Sequence, residues 1–269
     1  MWLIDVSNTF TKCSLFAKRR HTQRLRIPTT KITAATLRHI YSQYKRPHTI
    51  IVSSVVPKVT QIIKKTFPQS QILSGTNPLP INLRYPKPSE IGADRIANAI
   101  ALHAMGKFPA IAVDFGTAIT LDILDSTGAY IGGVIAPGWQ SMLAYLHEKT
   151  ALLPLAKIQG TPPPIGKNTL QAIRAGIHYG FIGLVQNIIR SSCGHLPVPP
   201  KLIVATGGDS SWICKNLPEI QENVPNLTLD GLRLYAEFLA RKDPKMTQNC
   251  NTKTPPKTQF ALGKNQHHG

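Results

Sequence analysis

Acidic residues are scarce in this chain, and the shortage is uneven. Its 269 residues carry 13 Asp and Glu against 31 Lys and Arg, a net charge of +18. Between Asp5 and Glu90 there is no acidic residue at all, while the same stretch holds 15 Lys and Arg. Such a balance attracts phosphates, nucleic acid or anionic surfaces; it equally fits a basic bias spread through the whole composition. The basic residues are dispersed among apolar ones and form no compact arm. Long hydrophobic runs are also missing: none approaches the roughly 18 apolar residues of a membrane span. The N-terminus, MWLIDVSNTF, lacks the basic start and apolar block of a signal peptide. The four cysteines, Cys13, Cys193, Cys214 and Cys250, share no metal-ligand spacing, which points to scattered reduced thiols. A cytoplasmic protein with no membrane partner is expected, long enough for one or two domains with a large core.

With so few carboxylates, each one invites a question. Asp5, Asp94 and Asp114 all stand at the edges of apolar segments, where a solvating charge is least expected. MWLIDV reads as a strand with TKCSLFA as its return partner, and HTIIVSSV is another apolar β-branched run. PKVTQIIKKTF and SEIGADRIANAIALHAMG have helical spacing. PAIAVDF, AITLDIL and AYIGGVI read as strands, followed by a helix near 139–148. KNTLQAIRAGIHYGFIGLVQNIIR is a long helical pattern whose glycines suggest close packing. KLIVAT is a strand running into Gly207-Gly208, and DGLRLYAEFLAR is a last helix. Alternating strands and helices predict an α/β fold. Asp122 and Asp125 read as exposed strand and turn residues, and Asp209 as turn polarity. Residues 244–269 are polar and read as a disordered basic tail.

The chain also echoes itself. Ile4-Asp5-Val6-Ser7-Asn8-Thr9 and Val113-Asp114-Phe115-Gly116-Thr117-Ala118 share one plan: strand, aspartate, small residue, hydroxyl, second strand. Two such hairpins suggest a duplicated fold with a cleft between halves 1–105 and 106–243. A turn of small residues leaves backbone N–H groups open to a phosphate, and a threonine hydroxyl adds a donor. An aspartate beside such a cradle would repel phosphate, so it makes sense if it holds a cation or the water around one. Either hairpin alone would also fit an aspartate closing an ordinary tight turn. The pair, joined by Ala205-Thr206-Gly207-Gly208 after a third apolar strand, favours the phosphate reading.

Six motifs occur in order: Asp5-Val6-Ser7-Asn8-Thr9, Gly92-Ala93-Asp94-Arg95, Asp114-Phe115-Gly116-Thr117-Ala118, Gly132-Gly133 with Pro137-Gly138, Gly166-Lys167-Asn168-Thr169, and Ala205-Thr206-Gly207-Gly208. Together with Thr150-Ala151-Leu152-Leu153-Pro154, they resemble type III pantothenate kinase, of the acetate and sugar kinase, Hsp70 and actin superfamily. The resemblance covers residues 1 to about 240. It implies two ribonuclease-H-like halves around a central cleft, usually in a homodimer. It implies transfer of the γ-phosphoryl of ATP to pantothenate, with a divalent cation such as Mg2+ and a monovalent one, K+ or NH4+.

Carried over by residue, the resemblance gives the first phosphate loop to Asp5, Val6, Ser7, Asn8, Thr9, Phe10, Thr11 and Lys12. Thr117 would touch the nucleotide phosphates, Gly207 and Gly208 would line the adenosine side, and Asp114 would ligate the monovalent cation. Tyr85, Gly92, Ala93, Asp94, Arg95 and Thr169 would contact pantothenate, with Asp94 as the base. The chemistry agrees: an attacking hydroxyl needs a carboxylate to accept its proton, and Arg95 beside Asp94 would keep it ionised and could pair with a substrate carboxylate. One departure stands out. The first loop usually reads Asp-x-Gly-Asn-Thr, and Ser7 occupies the glycine position. Serine resists positive φ; in extended backbone it is harmless and adds a donor. The rival readings are a transcriptional accessory factor binding nucleic acid, for which no helix-turn-helix or aromatic platform is visible, and a catalytically dead nucleotide-binding protein, against which Asp5, Asp94 and Asp114 all speak.

Overall fold

A computed structural model describes residues 1–158 and 160–242. The expected tail at 244–269, with Cys250, lies outside the described residues. The chain begins with β1 (Trp2–Val6), β2 (Phe10–Ala17) and β3 (Arg20–Pro28), then α1 (Ala34–Gln43), β4 (Ile50–Ser54), α2 (Pro57–Thr66) and β5 (Gln71–Ile72). These strands form one sheet in the order β3-β2-β1-β4-β5. The β1–β2 and β2–β3 pairs are antiparallel, the β1–β4 and β4–β5 pairs parallel.

After α3 (Ala93–Ala104) the plan repeats: β6 (Ala110–Phe115), β7 (Ala118–Leu124), β8 (Tyr130–Pro137), α4 (Trp139–Lys149), α5 (Thr169–His195), β9 (Leu202–Thr206), α6 (Ser210–Ile213) and β10 (Glu222–Asn223). The second sheet runs β10-β9-β6-β7-β8, with antiparallel β6–β7 and β7–β8 and parallel β6–β9 and β9–β10. Each half thus carries the same ribonuclease-H-like strand order, and the sequence echo between the two hairpins is an echo of topology. The last helix, α7 (Leu227–Lys242), turns back to pack on α3 and reaches β1 and β4 of the first sheet.

Period-two alternation along the central strands decides where the aspartates point. Trp2, Ile4 and Val6 of β1 enter an outer core with Leu37 and Ile40 of α1 and Val59 and Ile63 of α2. Leu3 faces the other way, into a core built from α3, α7 and the inner faces of both sheets. Ile111, Val113 and Phe115 of β6 likewise face outward, against Phe181, Val185 and Ile189 of α5, while Ala110 and Ala112 face inward. Asp5 falls on the inner side of β1 and Asp114 on the inner side of β6. The two carboxylates are therefore equivalent positions on sheets whose inner faces look toward each other.

β3 and α1 are additions to what the pattern predicts. β3 is RHTQRLRIP, largely exposed; its charged residues hide the alternation a strand normally shows, and they guard a sheet edge against pairing with another chain. α1 is capped by Thr33, which accepts the Thr36 amide at 3.1 Å. Two expectations are corrected. Asp122 is fully buried, not exposed: it lies on the inward row of β7, opposite Ala112. At Gly176, Gly180 and Gly183 of α5, where close packing was expected, an added Cβ would have open space around it, with no other atom of the described residues within 4 Å beyond the helix itself. Cys13, Cys193 and Cys214 are free thiols, and no helix among the described residues is long and apolar enough to cross a membrane.

Candidate active site

The two hairpin tips meet. Thr9 Oγ1 lies 2.8 Å from Thr117 Oγ1, a hydrogen bond spanning 108 residues of sequence. The β1–β2 turn is held from behind, where Thr29 donates its hydroxyl to Ser7 O at 2.7 Å and its amide to Thr9 O at 3.0 Å. Ser7 is not among the non-glycine residues with positive φ, which are Lys18, Arg19, Lys45 and Arg46. The serine therefore sits in this loop without the strain it would carry at a glycine-type conformation. Opposite, Gly207 adopts φ +97° at the end of β9, and a side chain there would collide with the Phe115 carbonyl. Only glycine serves at this position, and it brings the β9 loop directly behind the Asp114 hairpin.

Beneath the tips stand three carboxylates, close enough to influence one another's protonation. Asp5 is buried, and burial pushes its carboxyl up to about 7; Lys12 pulls it down, while Asp94 and Asp114 push it up further. The Lys12 ammonium is 3.8 Å from Asp5 Oδ2; Ser53 also draws the carboxyl pKa down, although among the described residues no donor stands within hydrogen-bond distance of Asp5 Oδ1. Asp114 is half-buried and accepts Asn98 Nδ2 at 3.2 Å. Asn98 is fixed in turn by Thr228 of α7, whose hydroxyl donates to Asn98 Oδ1 at 2.9 Å. Asp94 occupies the first turn of α3, and its Oδ1 accepts the Arg95 amide at 2.8 Å. Burial raises its pKa, the Arg95 amide lowers it, and Asp114 raises it again.

The remaining candidates divide. Asn8 and Thr9 are exposed at the tip, whereas Val6 belongs to the outer core and the buried Thr11 hydroxyl is taken up by Thr29 at 3.1 Å. Phe10 carries the Arg26 guanidinium 3.7 Å above its ring centroid, a contact invisible in the sequence because β3 was. Arg26 Nη2 also reaches toward Gly208, and its charge acts on Asp209 across the cleft. Tyr85 approaches Gly132 and Tyr130, with ring centroids 6.2 Å apart, and so lies near Arg95, whose guanidinium is 5.9 Å from the Tyr130 ring. Arg95 itself is engaged by Asp122. Gly92 caps the start of α3 ahead of Ala93. Thr169 is the exposed first residue of α5, behind the Asn168 cap, and among the described residues no hydrogen bond links it to the cleft.

No group of three or more His, Cys, Asp or Glu side chains among the described residues is arranged to hold a metal ion by itself. The arrangement instead suits cations shared with a ligand. Among the described residues, Asp5 offers a buried oxygen without a hydrogen-bond donor, and Asp114 accepts one side-chain amide. Magnesium typically keeps several waters and takes one or two carboxylates besides substrate phosphates.

A family model for type III pantothenate kinase matches residues 1–191. A type III pantothenate kinase from Methylacidiphilum infernorum is 41% identical over 247 residues, covering 91% of this chain and 91% of that one. Among solved structures, a conserved Baf family protein from Campylobacter jejuni superposes with TM-score 0.57 at 16% identity, over 91% of this chain and 100% of its own. An inorganic polyphosphate/ATP-glucomannokinase from Arthrobacter gives TM-score 0.50 at 12% identity, over 88% and 97%. These two structural likenesses speak for the two-lobed fold alone. The sequence match runs nearly end to end and includes the stretches that carry Asp5, Asp94 and Asp114, and on that ground the chain belongs to the type III pantothenate kinase family.

Proposed function

We propose that this chain transfers the γ-phosphoryl of ATP to the primary hydroxyl of pantothenate, forming 4'-phosphopantothenate and ADP, the first step of coenzyme A synthesis, in the cytoplasm. The observation that carries the reading is the meeting of the Thr9 and Thr117 tips above the three carboxylates. Phosphoryl transfer asks for positioning and charge neutralisation more than covalent help. In this reading the Asp5 to Lys12 loop and Thr117 hold the phosphates, with Gly207 and Gly208 beside the adenosine. Asp94 accepts the hydroxyl proton as the new O–P bond forms and the bond to the ADP oxygen breaks. Tyr85 and residues Gly92 to Arg95 receive the pantothenate. Asp5 would face the divalent cation that travels with ATP, and Asp114, with Asn98 behind it, would hold a monovalent cation; bound there, these ions would neutralise charge on the transferring phosphoryl group.

The test is ADP release by the purified chain. It should require pantothenate, and it should drop when potassium is exchanged for sodium. Release that ignores pantothenate would sink the assignment. Release that is indifferent to the monovalent ion would remove Asp114's role alone.

We further propose a homodimer formed through the face of α4, α5 and the segment between them. Tyr145, Leu155, Leu170 and Tyr179 are exposed there, Ile165 is 79% exposed and Leu152 91%. Exposed apolar residues on these elements support an interface here. The stripe of Gly176, Gly180 and Gly183 is open to a second copy, and Thr169 lies in the same region. Light scattering should give twice the chain mass, falling to one chain in Ile165→Glu; a monomeric wild type would end this proposal.

A further inference from the structure

Asp122 is unexplained by the roles assigned so far. It lies mid-strand in β7, between Ala112 of β6 and Gly133 of β8, with no exposed surface. A carboxylate buried in a sheet costs several kcal/mol unless it is paired and hydrogen-bonded, and even then an apolar residue often serves stability as well. Its partner is Arg95. Arg95 Nε donates to Asp122 Oδ1 at 2.7 Å, Arg95 Nη2 donates to the Leu121 carbonyl at 2.9 Å, and the Tyr130 hydroxyl lies 3.4 Å from the same Asp122 oxygen. The neighbouring strand is cut away to admit the guanidinium. At Gly133 a side chain would collide with Leu121 O and stand 2.6 Å from Arg95 Nη2.

One edge of the arginine fork is therefore fixed, and among the described residues Nη1 carries no hydrogen bond. The fixed guanidinium also acts through its charge on the proposed base, lowering the Asp94 pKa. A guanidinium is planar and always charged, and it pairs with carboxylates in a defined geometry. Anchoring one edge orients what remains.

We infer that Asp122 is a positioning residue: it locks Arg95 so that the free end of the guanidinium meets the carboxylate of the substrate and selects an acid over its neutral analogues. This rests on the pantothenate reading. The role is one of specificity: among the described residues Asp122 makes no hydrogen bond to the nucleotide loops or to Asp94, and it reaches Asp94 and Asp114 only through its charge.

The experiment compares pantothenate with pantothenol, its neutral alcohol analogue, in the full chain. In Asp122→Asn the KM for pantothenate should rise about 10- to 100-fold with kcat little changed. Turnover of pantothenol and the KM for ATP should stay near wild type. A generally loosened fold would harm both substrates alike, so equal losses overturn the inference, as does an unchanged KM for pantothenate. Should Asp122→Asn fail to fold, Arg95→Lys keeps a buried charge opposite Asp122 but lacks the fork. It should lose the preference for pantothenate over pantothenol, and keeping that preference contradicts the inference. A wild type that phosphorylates neither compound overturns the reaction assignment itself, and this inference with it. A wild type active on both, with variants that discriminate as it does, overturns this inference alone.

Discussion

Replacing Asp94 with asparagine should lower kcat by about a thousandfold, within the range typical of a lost general base, while the KM values for ATP and pantothenate stay within a few-fold of wild type. Asparagine keeps the volume and the acceptor oxygen that receives the Arg95 amide at 2.8 Å, so the start of α3 is preserved and only the proton acceptor is gone. The pH profile supplies a second readout. Burial, opposed by the Arg95 amide and reinforced by Asp114, raises the Asp94 pKa. A base must be ionised to act, so wild-type kcat/KM should fall as pH drops through this raised value, on a limb above the ordinary aspartate range. The residual activity of Asp94→Asn should lack that limb. A variant with full turnover would remove Asp94 from the chemistry.

Asp5→Asn should separate stability from function. The Asp5 carboxyl is buried, and burial outweighs the pull of Lys12 and Ser53 to raise its pKa to about 7 against an ordinary 3.8. The folded chain thus binds this proton more tightly than the unfolded chain. The stabilisation is fully present below pH 3.8 and is lost as pH rises through about 7. A shift of this size corresponds to something on the order of a few kcal/mol. At pH 8, without nucleotide, Asp5→Asn should melt higher than wild type by about 5 °C, and the gap should close toward pH 4. Turnover should nevertheless fall by about a hundredfold or more, as when a charge-organising group is removed from a phosphoryl-transfer site. Such a trade is expected where a site stores unfavourable charge for a ligand to relieve. An Asp5→Asn variant that is less stable at pH 8 would show that the carboxylate is satisfied without any cation.

The framework was legible where residues alternate plainly. β1, β4, β6, β7 and β9 announce themselves by apolar runs, and the aspartates ending two of them stand out because carboxylates are so few. The duplicated strand order follows from the two matching hairpins. What could not be seen depends on partners far apart in sequence. Asp122 looks like any polar strand residue until Arg95, 27 positions earlier, is folded onto it. Asn98 reads as one polar residue in an alanine-rich helix, yet it bridges Asp114 to Thr228, 130 positions later. β3 escaped because arginines took the places where apolar residues would have marked a strand, and the Arg26–Phe10 contact escaped with it. The α5 glycines suggested close packing, and their faces are open among the described residues.

Phosphorus NMR of the reaction mixture identifies the acceptor atom as well as the rate. With ATP, magnesium, potassium and pantothenate, a new phosphomonoester should appear on the primary hydroxyl of pantothenate, growing one for one with ADP and absent in Asp94→Asn. Inorganic phosphate growing in its place, at a rate the Asp94 substitution leaves untouched, would contradict this transfer.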